Sequence, residues 1–204
     1  LKAGILRADR VPTVSETYAA ELCGPEQGFG LNELLQGRGN DLVGIVNGLD
    51  TAIWDPSTDA ALPLTYTAQT VQAGKAAAKA QLQKSFGLEN APSKPMFGLV
   101  SRLSGQKGID LVIEHIDGLV FRGAQIVMLG SGDAGLRDAL TAKQRQHPTQ
   151  VAFVEGYDET LAHLIHGGCD FLLVPSRFEP CGLTQLSAQR YGTIPLVSPV
   201  GGLV

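Results

Sequence analysis

From Met96 onward, short apolar runs alternate with stretches of helical period. The runs are Met96–Val100, Gln125–Leu129, Val151–Val154, Asp170–Val174 and Thr193–Val197. Runs that are apolar on both faces at this length read as buried strands of a parallel sheet rather than as half-exposed antiparallel ones. Between them, Ile109–Phe121, Ala134–Arg145, Glu159–His166 and Leu183–Tyr191 carry helical periodicity, and every junction holds Gly, Ser, Asp or Pro. Strand and helix in strict alternation, joined by right-handed crossovers, predict a doubly wound parallel α/β sheet.

The first 95 residues are less regular. Arg10–Val14 reads as a strand and Glu16–Leu22 as a helix started by Ser15, with a glycine-rich loop through Gly28 and Gly30 after it. Gly44–Asn47 is a further short segment, and Gly48–Asp59, which contains Asp55-Pro56, has the composition of a linker. Val71–Phe86 is rich in Ala, Lys and Gln and predicts a helix on propensity, its lysines expected on a solvated face.

Composition narrows the class. Hydrophobic residues are 44% and charged residues 18% of the 204, against a typical charged share of about 25%, which excludes a disordered tail or a solvated coiled coil. Only 6% are aromatic, so aliphatic side chains must fill the core. The net charge is −4, with no block of Lys or Arg, which argues against a nucleic-acid footprint or an anionic-membrane patch. No apolar run approaches the roughly 18 residues that span a bilayer. Cys23, Cys169 and Cys181 are odd in number and far apart, without a C-x-x-C pair, so a reducing, soluble compartment is expected. Leu1 carries neither an initiator Met nor a signal pattern, and the chain stops at Val204 shortly after two glycines. Both ends are expected to be cut.

In an open parallel sheet, ligands bind beyond the carboxyl ends of the strands, where helix N-termini present free amides to anions. The loop after the first of these strands, Ser101–Gly108, places Arg102 and Lys107 five residues apart. A fork-shaped guanidinium and a point-charge ammonium suit a diphosphate, and they equally suit two surface charges. Gly130-Ser131-Gly132-Asp133 is a glycine turn that lacks the third glycine of the dinucleotide fingerprint, and reads better as a structural turn. Gly156-Tyr157-Asp158 puts a ring at the sheet edge where it could stack on a base, while Asp158 reads as a helix cap. The loop Pro175–Leu186 is the most unusual: Glu179 lies between Phe178 and Pro180, and Gly182 opens a helix, joining an acceptor for hydroxyls to a row of amides. His163 and His166 read as ordinary helix-face histidines without a third metal ligand, and Cys181 as a small buried residue. No metal site is expected.

Two long motifs carry a resemblance. S-R-L-x-x-Q-K-G-I-D-L at Ser101–Leu111 and P-S-R-F-E-P-C-G-L-T-Q-L at Pro175–Leu186, continued by Arg190–Thr193, resemble bacterial glycogen synthase and plant starch synthase. A-D-x-V-x-T-V-S-x-x-Y-A at Ala8–Ala19, N-G-L-D-x-x-x-W-x-P at Asn47–Pro56, L-G-S-G-D at Leu129–Asp133 and Gly201-Gly202-Leu203 are similar in the same order. The resemblance implies a GT-B fold, two Rossmann-like domains facing a cleft, with residues 1–45 the tail of the acceptor-side domain, 46–60 an interdomain linker and 61–204 an incomplete nucleotide-sugar-binding domain.

It also implies the chemistry: transfer of glucose from ADP-glucose to the non-reducing 4-hydroxyl of an α-1,4-glucan with retention, in the bacterial cytoplasm or, in a plant, the plastid stroma. Arg102 and Lys107 would hold the diphosphate and Glu179 the donor glucose, as catalytic residues. Cys181, Gly182, Leu183 and Thr184 would contact glucose and phosphate, Gly156 and Tyr157 the adenine, and Ser176 and Asn47 the pocket wall. No cofactor is implied, since the nucleotide sugar is a substrate. The family's K-x-G-G-L loop and its N-domain histidine are absent from these residues, and the second glutamate of many retaining transferases is replaced by Ser187. The 204 residues alone are therefore expected to be inactive. The alternatives are a UDP-glucose transferase of the sucrose synthase kind and a non-catalytic nucleotide-binding module.

Overall fold

The computed structural model describes all 204 residues, which fall into two units. The first comprises Leu1–Gly48, Phe178–Leu183 and Ser198–Val204, the second Leu49–Arg177 and Thr184–Val197. In the first unit the order is α1 (Lys2–Arg7), β1 (Val11–Thr13), α2 (Glu16–Leu22), α3 (Asn32–Gln36) and β2 (Leu42–Gly44). The strands pair in parallel, Val11 opposite Leu42 and Thr13 opposite Gly44. Ser15 starts α2 as its type predicts, its hydroxyl accepting from the Tyr18 amide at 3.1 Å. The same hydroxyl donates to the Pro180 carbonyl at 2.7 Å, which fixes a segment 165 residues distant. The Gly201 amide donates to Glu21 Oε1 at 2.8 Å, and the Gly202 amide to the Glu179 carbonyl at 2.9 Å. A Cβ on Gly201 would lie 2.0 Å from that carbonyl, and its φ of +50° also favours glycine. Sequence periodicity missed α1 and α3, which are only six and five residues long. It also placed the second segment too late, because pairing ends where Ile45 donates to Thr13, and Ile45 and Val46 are exposed.

In the second unit α4 (Val71–Ser85) precedes β3 (Met96–Val100), α5 (Ile109–Phe121), β4 (Gln125–Gly130), α6 (Ala134–Gln146), β5 (Val151–Glu155), α7 (Glu159–Gly168), β6 (Phe171–Val174), α8 (Leu183–Arg190) and β7 (Ile194–Val197). Most of α8 lies in this unit, its first residue in the other. The five strands form one sheet, all neighbours parallel, in the order β5-β4-β3-β6-β7. The chain moves outward from β3 to β5, then returns to add β6 on the other side of β3. That reversal makes β3 and β6 the topological switch point, where crevices form beyond the carboxyl ends of strands. Leu99, Ile126, Met128, Val151 and Phe153 pack with Ile109, Val112, Ile116, Val120 and Leu140 of α5 and α6 in the main apolar cluster. On the opposite face α7 lies against β3 and β4, and α4 covers α7. No helix is long and apolar enough to cross a membrane.

One expectation about polar side chains is corrected. Among the lysines of α4, Lys84 is exposed as expected, but Lys79 is 7% exposed and Lys75 is largely buried. The Lys75 ammonium donates to the carbonyls of Gly167 and Cys169, at 3.1 and 2.8 Å, and to the Thr193 hydroxyl at 2.6 Å. It thus satisfies carbonyls left open at the end of α7, and burial pushes its pKa down to about 8. Lys79 meets Asp170 at 2.8 Å. The helix-face histidines His163 and His166 lie on the buried side of α7, 6% and 2% exposed. His163 Nδ1 lies 2.7 Å from Asp59 Oδ2, the ring stacks on Trp54 at 4.1 Å, and Tyr191 donates to the same carboxylate. Burial would raise the Asp59 carboxyl, but the hydrogen bonds from Tyr191 and His163 bring it below its usual value. Burial lowers His166 to about 4. A helix pattern shows which positions share a face, not that a second helix and a linker cover it.

Candidate nucleotide-sugar site

Four loops of the second unit, those after β3, β4, β5 and β6, meet around the switch point. The loop after β3 runs from Ser101 to a short 3₁₀ turn at Gly105–Lys107 and enters α5 through Gly108. On one side it is laced to the turn after β4, the Leu103 amide donating to the Ser131 carbonyl at 2.8 Å and the Asp133 amide to the Leu103 carbonyl at 2.9 Å. Gly130-Ser131-Gly132-Asp133 therefore has the structural job expected of it. Asp133 also caps α6, accepting from the Leu136 amide at 3.0 Å. On the other side the Arg177 amide donates to the Gln106 carbonyl at 2.8 Å, joining the loop after β6. Gly108 lies at the closest approach: its φ is +65°, and a Cβ there would sit 2.1 Å from the Pro175 carbonyl oxygen. The Gly156 amide donates to the Gly130 carbonyl at 3.1 Å and brings in the loop after β5.

The result is a cavity of about 210 Å³ at the carboxyl edge of the sheet. Val100, Leu129 and Ala162 supply apolar walls, and Arg102, Ser131, Gly156, Tyr157 and Asp158 ring it with polar groups and a face for stacking. Tyr157 is 88% exposed, a ring held outward at the rim, which an apolar core residue would not be. Asp158 caps α7 as predicted, accepting from the Leu161 amide at 2.9 Å. A larger hollow of about 480 Å³ at the start of α4 is lined by Asp55, Val71 and Arg190, the last paired with Asp55 at 2.8 Å, and lies at the opposite end of the helices. No group of three or more His, Cys, Asp or Glu side chains is arranged to hold a metal ion.

Of the residues singled out from sequence, Arg102, Gly156 and Tyr157 line the one cavity, and Lys107 lies on the loop that bears Arg102. Ser176, 1% exposed, follows β6, and Thr184 lies in the first turn of α8. Asn47, Glu179, Cys181, Gly182 and Leu183 belong to the first unit. There Asn47 is exposed beyond β2, whereas Glu179 and Cys181 are each 9% exposed. Gly182 has a φ of +80° immediately before α8, which turns the chain into that helix. Sequence reasoning gave no role to Asp110 and Arg177, although both stand inside the quoted motifs. Arg177 Nη1 and Nη2 donate to Asp110 Oδ1 and Oδ2 at 2.7 Å each, and Nη1 also to the Gly105 carbonyl at 2.7 Å. The Arg177 guanidinium holds the Asp110 carboxyl below the usual carboxylate range. Residues 67 apart give no local signal of such a pair.

Residues 81–204 match the family described as glycosyl transferases group 1, and residues 1–37 match the starch synthase catalytic domain. A glycogen synthase of Rhodopseudomonas palustris (strain HaA2) is 52% identical over 203 residues, and one of Leptothrix cholodnii is 52% identical over 204. Each comparison covers 100% of this chain, and the chain spans 42% of the length of these relatives. The catalytic domain of starch synthase IV from Arabidopsis thaliana, solved bound to ADP and acarbose, superposes with a TM-score of 0.92 at 39% identity, covering 99% of this chain and 42% of that one. The fold is the Rossmann-like parallel α/β fold of GT-B glycosyltransferases, and the chain belongs to the glycosyl transferases group 1 family.

Proposed function

We propose that this chain is the donor-binding portion of a retaining glucan synthase, which moves glucose from ADP-glucose to the non-reducing 4-hydroxyl of an α-1,4-glucan. The observation that carries the reading is the cavity at the switch point, where Arg102, Gly156 and the outward Tyr157 share one lining beside the loop of Lys107. A base stacked on Tyr157 leaves its diphosphate toward the loop that carries the two cations. The full-length glycogen synthase relatives and the ADP-bound starch synthase support an adenine nucleotide and a glucan acceptor over the UDP-glucose alternative. Residues 1–45 then belong to the acceptor-side domain, 46–60 to the linker between domains and 61–204 to the nucleotide-sugar domain, and the protein works in the cytoplasm.

The chemistry needs no cofactor. The bond from the glucose C1 to the phosphate oxygen breaks while the acceptor O4 attacks C1 from the same face, and the O4 proton passes to a phosphate oxygen of the departing ADP. Arg102 and Lys107 stabilise the charge that builds on that phosphate. On the same unit, Ser176 would line the glucose side and Thr184 would offer a backbone amide from the first turn of α8. A transfer assay with labelled nucleotide sugars and glycogen, run on a polypeptide of the relatives' full length, tests the reading. Transfer from ADP-glucose that exceeds transfer from UDP-glucose at least about tenfold is expected; equal use of both, or none of either, would count against it.

A further inference from the structure

We propose that Arg177 and Asp110 form a clamp that sets the position of the loop bearing Arg102 and Lys107, so that Arg177 is a positioning residue for the donor diphosphate and not one of its ligands. The inference rests on the donor-site reading above and adds residues to it. Asp110 stands in the first turn of α5, three residues after Lys107, and Arg177 follows β6. Both nitrogens of the guanidinium fork are spent on the Asp110 carboxylate at 2.7 Å each, and Nη1 also meets the Gly105 carbonyl at 2.7 Å. The Arg177 backbone adds a bond to the Gln106 carbonyl at 2.8 Å. Three points of the cationic loop, Gly105, Gln106 and Asp110 at the start of α5, are thus held from one residue of the neighbouring strand's loop.

Exposure argues that the value of the pair is geometric. The two side chains are 48% and 49% exposed, and half-exposed ion pairs add little to stability unless their geometry is rigid. A bidentate fork is the rigid case, because it fixes orientation as well as distance. The loop it restrains is otherwise rich in small residues, and Gly105 has no heavy atom within 4 Å of where a Cβ would stand. Displacing a charged group by about 1 Å is enough to cost a large factor in binding or rate at a phosphate site. A guanidinium already occupied by carboxylate and carbonyl has little left for phosphate, which separates Arg177 from Arg102 in role.

Calorimetric titration of the 204-residue chain with ADP, at a temperature where each variant is folded, tests the clamp. Arg177→Gln and Asp110→Asn are each expected to weaken ADP binding by about tenfold, and the double variant by about tenfold again rather than a hundredfold, since the pair acts as a unit. Arg177→Lys, which keeps the charge but loses the fork, is expected to behave like Arg177→Gln. If Asp110→Asn binds ADP as well as the wild type while Arg177→Gln does not, Arg177 is a direct ligand and the clamp is wrong. If all variants bind ADP normally and only their melting temperatures fall, the pair is merely structural and the proposal is again overturned. Amide hydrogen exchange at Lys107 and Gly108, whose amides donate to Ser104 and Gly105, supplies a readout that does not need ADP. Faster exchange in Arg177→Gln and Asp110→Asn supports the clamp even if the wild type fails to bind ADP, a failure that would sink the donor-site reading alone; unchanged exchange in both overturns the clamp.

Discussion

Gly108→Ala is the sharpest single perturbation of the site's frame. Alanine at a φ of +65° costs about 1 kcal/mol or somewhat more in backbone strain. The new methyl would lie 2.1 Å from the Pro175 carbonyl oxygen, about 1 Å inside an ordinary contact, and the obstacle is backbone rather than a flexible side chain. Relief requires the loops after β3 and β6 to separate, which stretches the 2.8 Å bond from the Arg177 amide to the Gln106 carbonyl and loses about another 1 kcal/mol. With residual crowding the total comes to about 3 kcal/mol, and for a protein of this size that lowers Tm by about 6–12 °C. Thermal unfolding followed by circular dichroism reads the effect. Gly105→Ala is the control, on the same loop, with no heavy atom within 4 Å of its Cβ position and without a left-handed φ, and is expected to stay within about 0.5 kcal/mol of wild type. Equal melting temperatures for Gly108→Ala and wild type would refute the claim that these loops are held in van der Waals contact.

Two further outcomes follow from the buried polar groups. His166 has a folded-state pKa near 4 against an unfolded value of 6.5, so only the unfolded chain gains its proton on acidification; stability is therefore full above about 6.5 and falls by up to about 3 kcal/mol as the pH drops to 4. Urea titrations at several pH values check it: His166→Gln is expected to flatten that part of the profile, and an unchanged slope would remove His166 as its source. Lys79→Met breaks the 2.8 Å pair with Asp170 and leaves the Pro92 carbonyl without its 3.2 Å donor, for a loss of about 2 kcal/mol by denaturant unfolding, whereas Lys84→Met is expected to be neutral.

The sequence was most legible where local chemistry decides structure. Alternating apolar runs located β3 to β7 to within a residue or so, and Ser15 and Asp158 capped the helices they precede because an oxygen two or three residues before free amides has few better partners. Legibility failed where a residue's role is set by a distant partner. Lys75 and Lys79 looked solvated until the end of α7 and Asp170 were seen beneath them, and the helix pattern around His163 gave no sign of its partners Trp54 and Asp59. Arg177 stood in a motif read for its glutamate, yet its partner Asp110 lies 67 residues earlier. The strand order that brings β3 beside β6, and with it the loops of Lys107 and Arg177, required the sheet itself.

The central claim is that the loop after β3 holds a nucleotide diphosphate, and titration of the 204-residue chain with ADP in a calorimeter addresses it without any need for turnover. Saturable binding at or below millimolar ADP, weakened at least about tenfold in both Arg102→Ala and Lys107→Ala, is the predicted result. Absence of ADP binding, or binding that both variants keep at full strength, would contradict it.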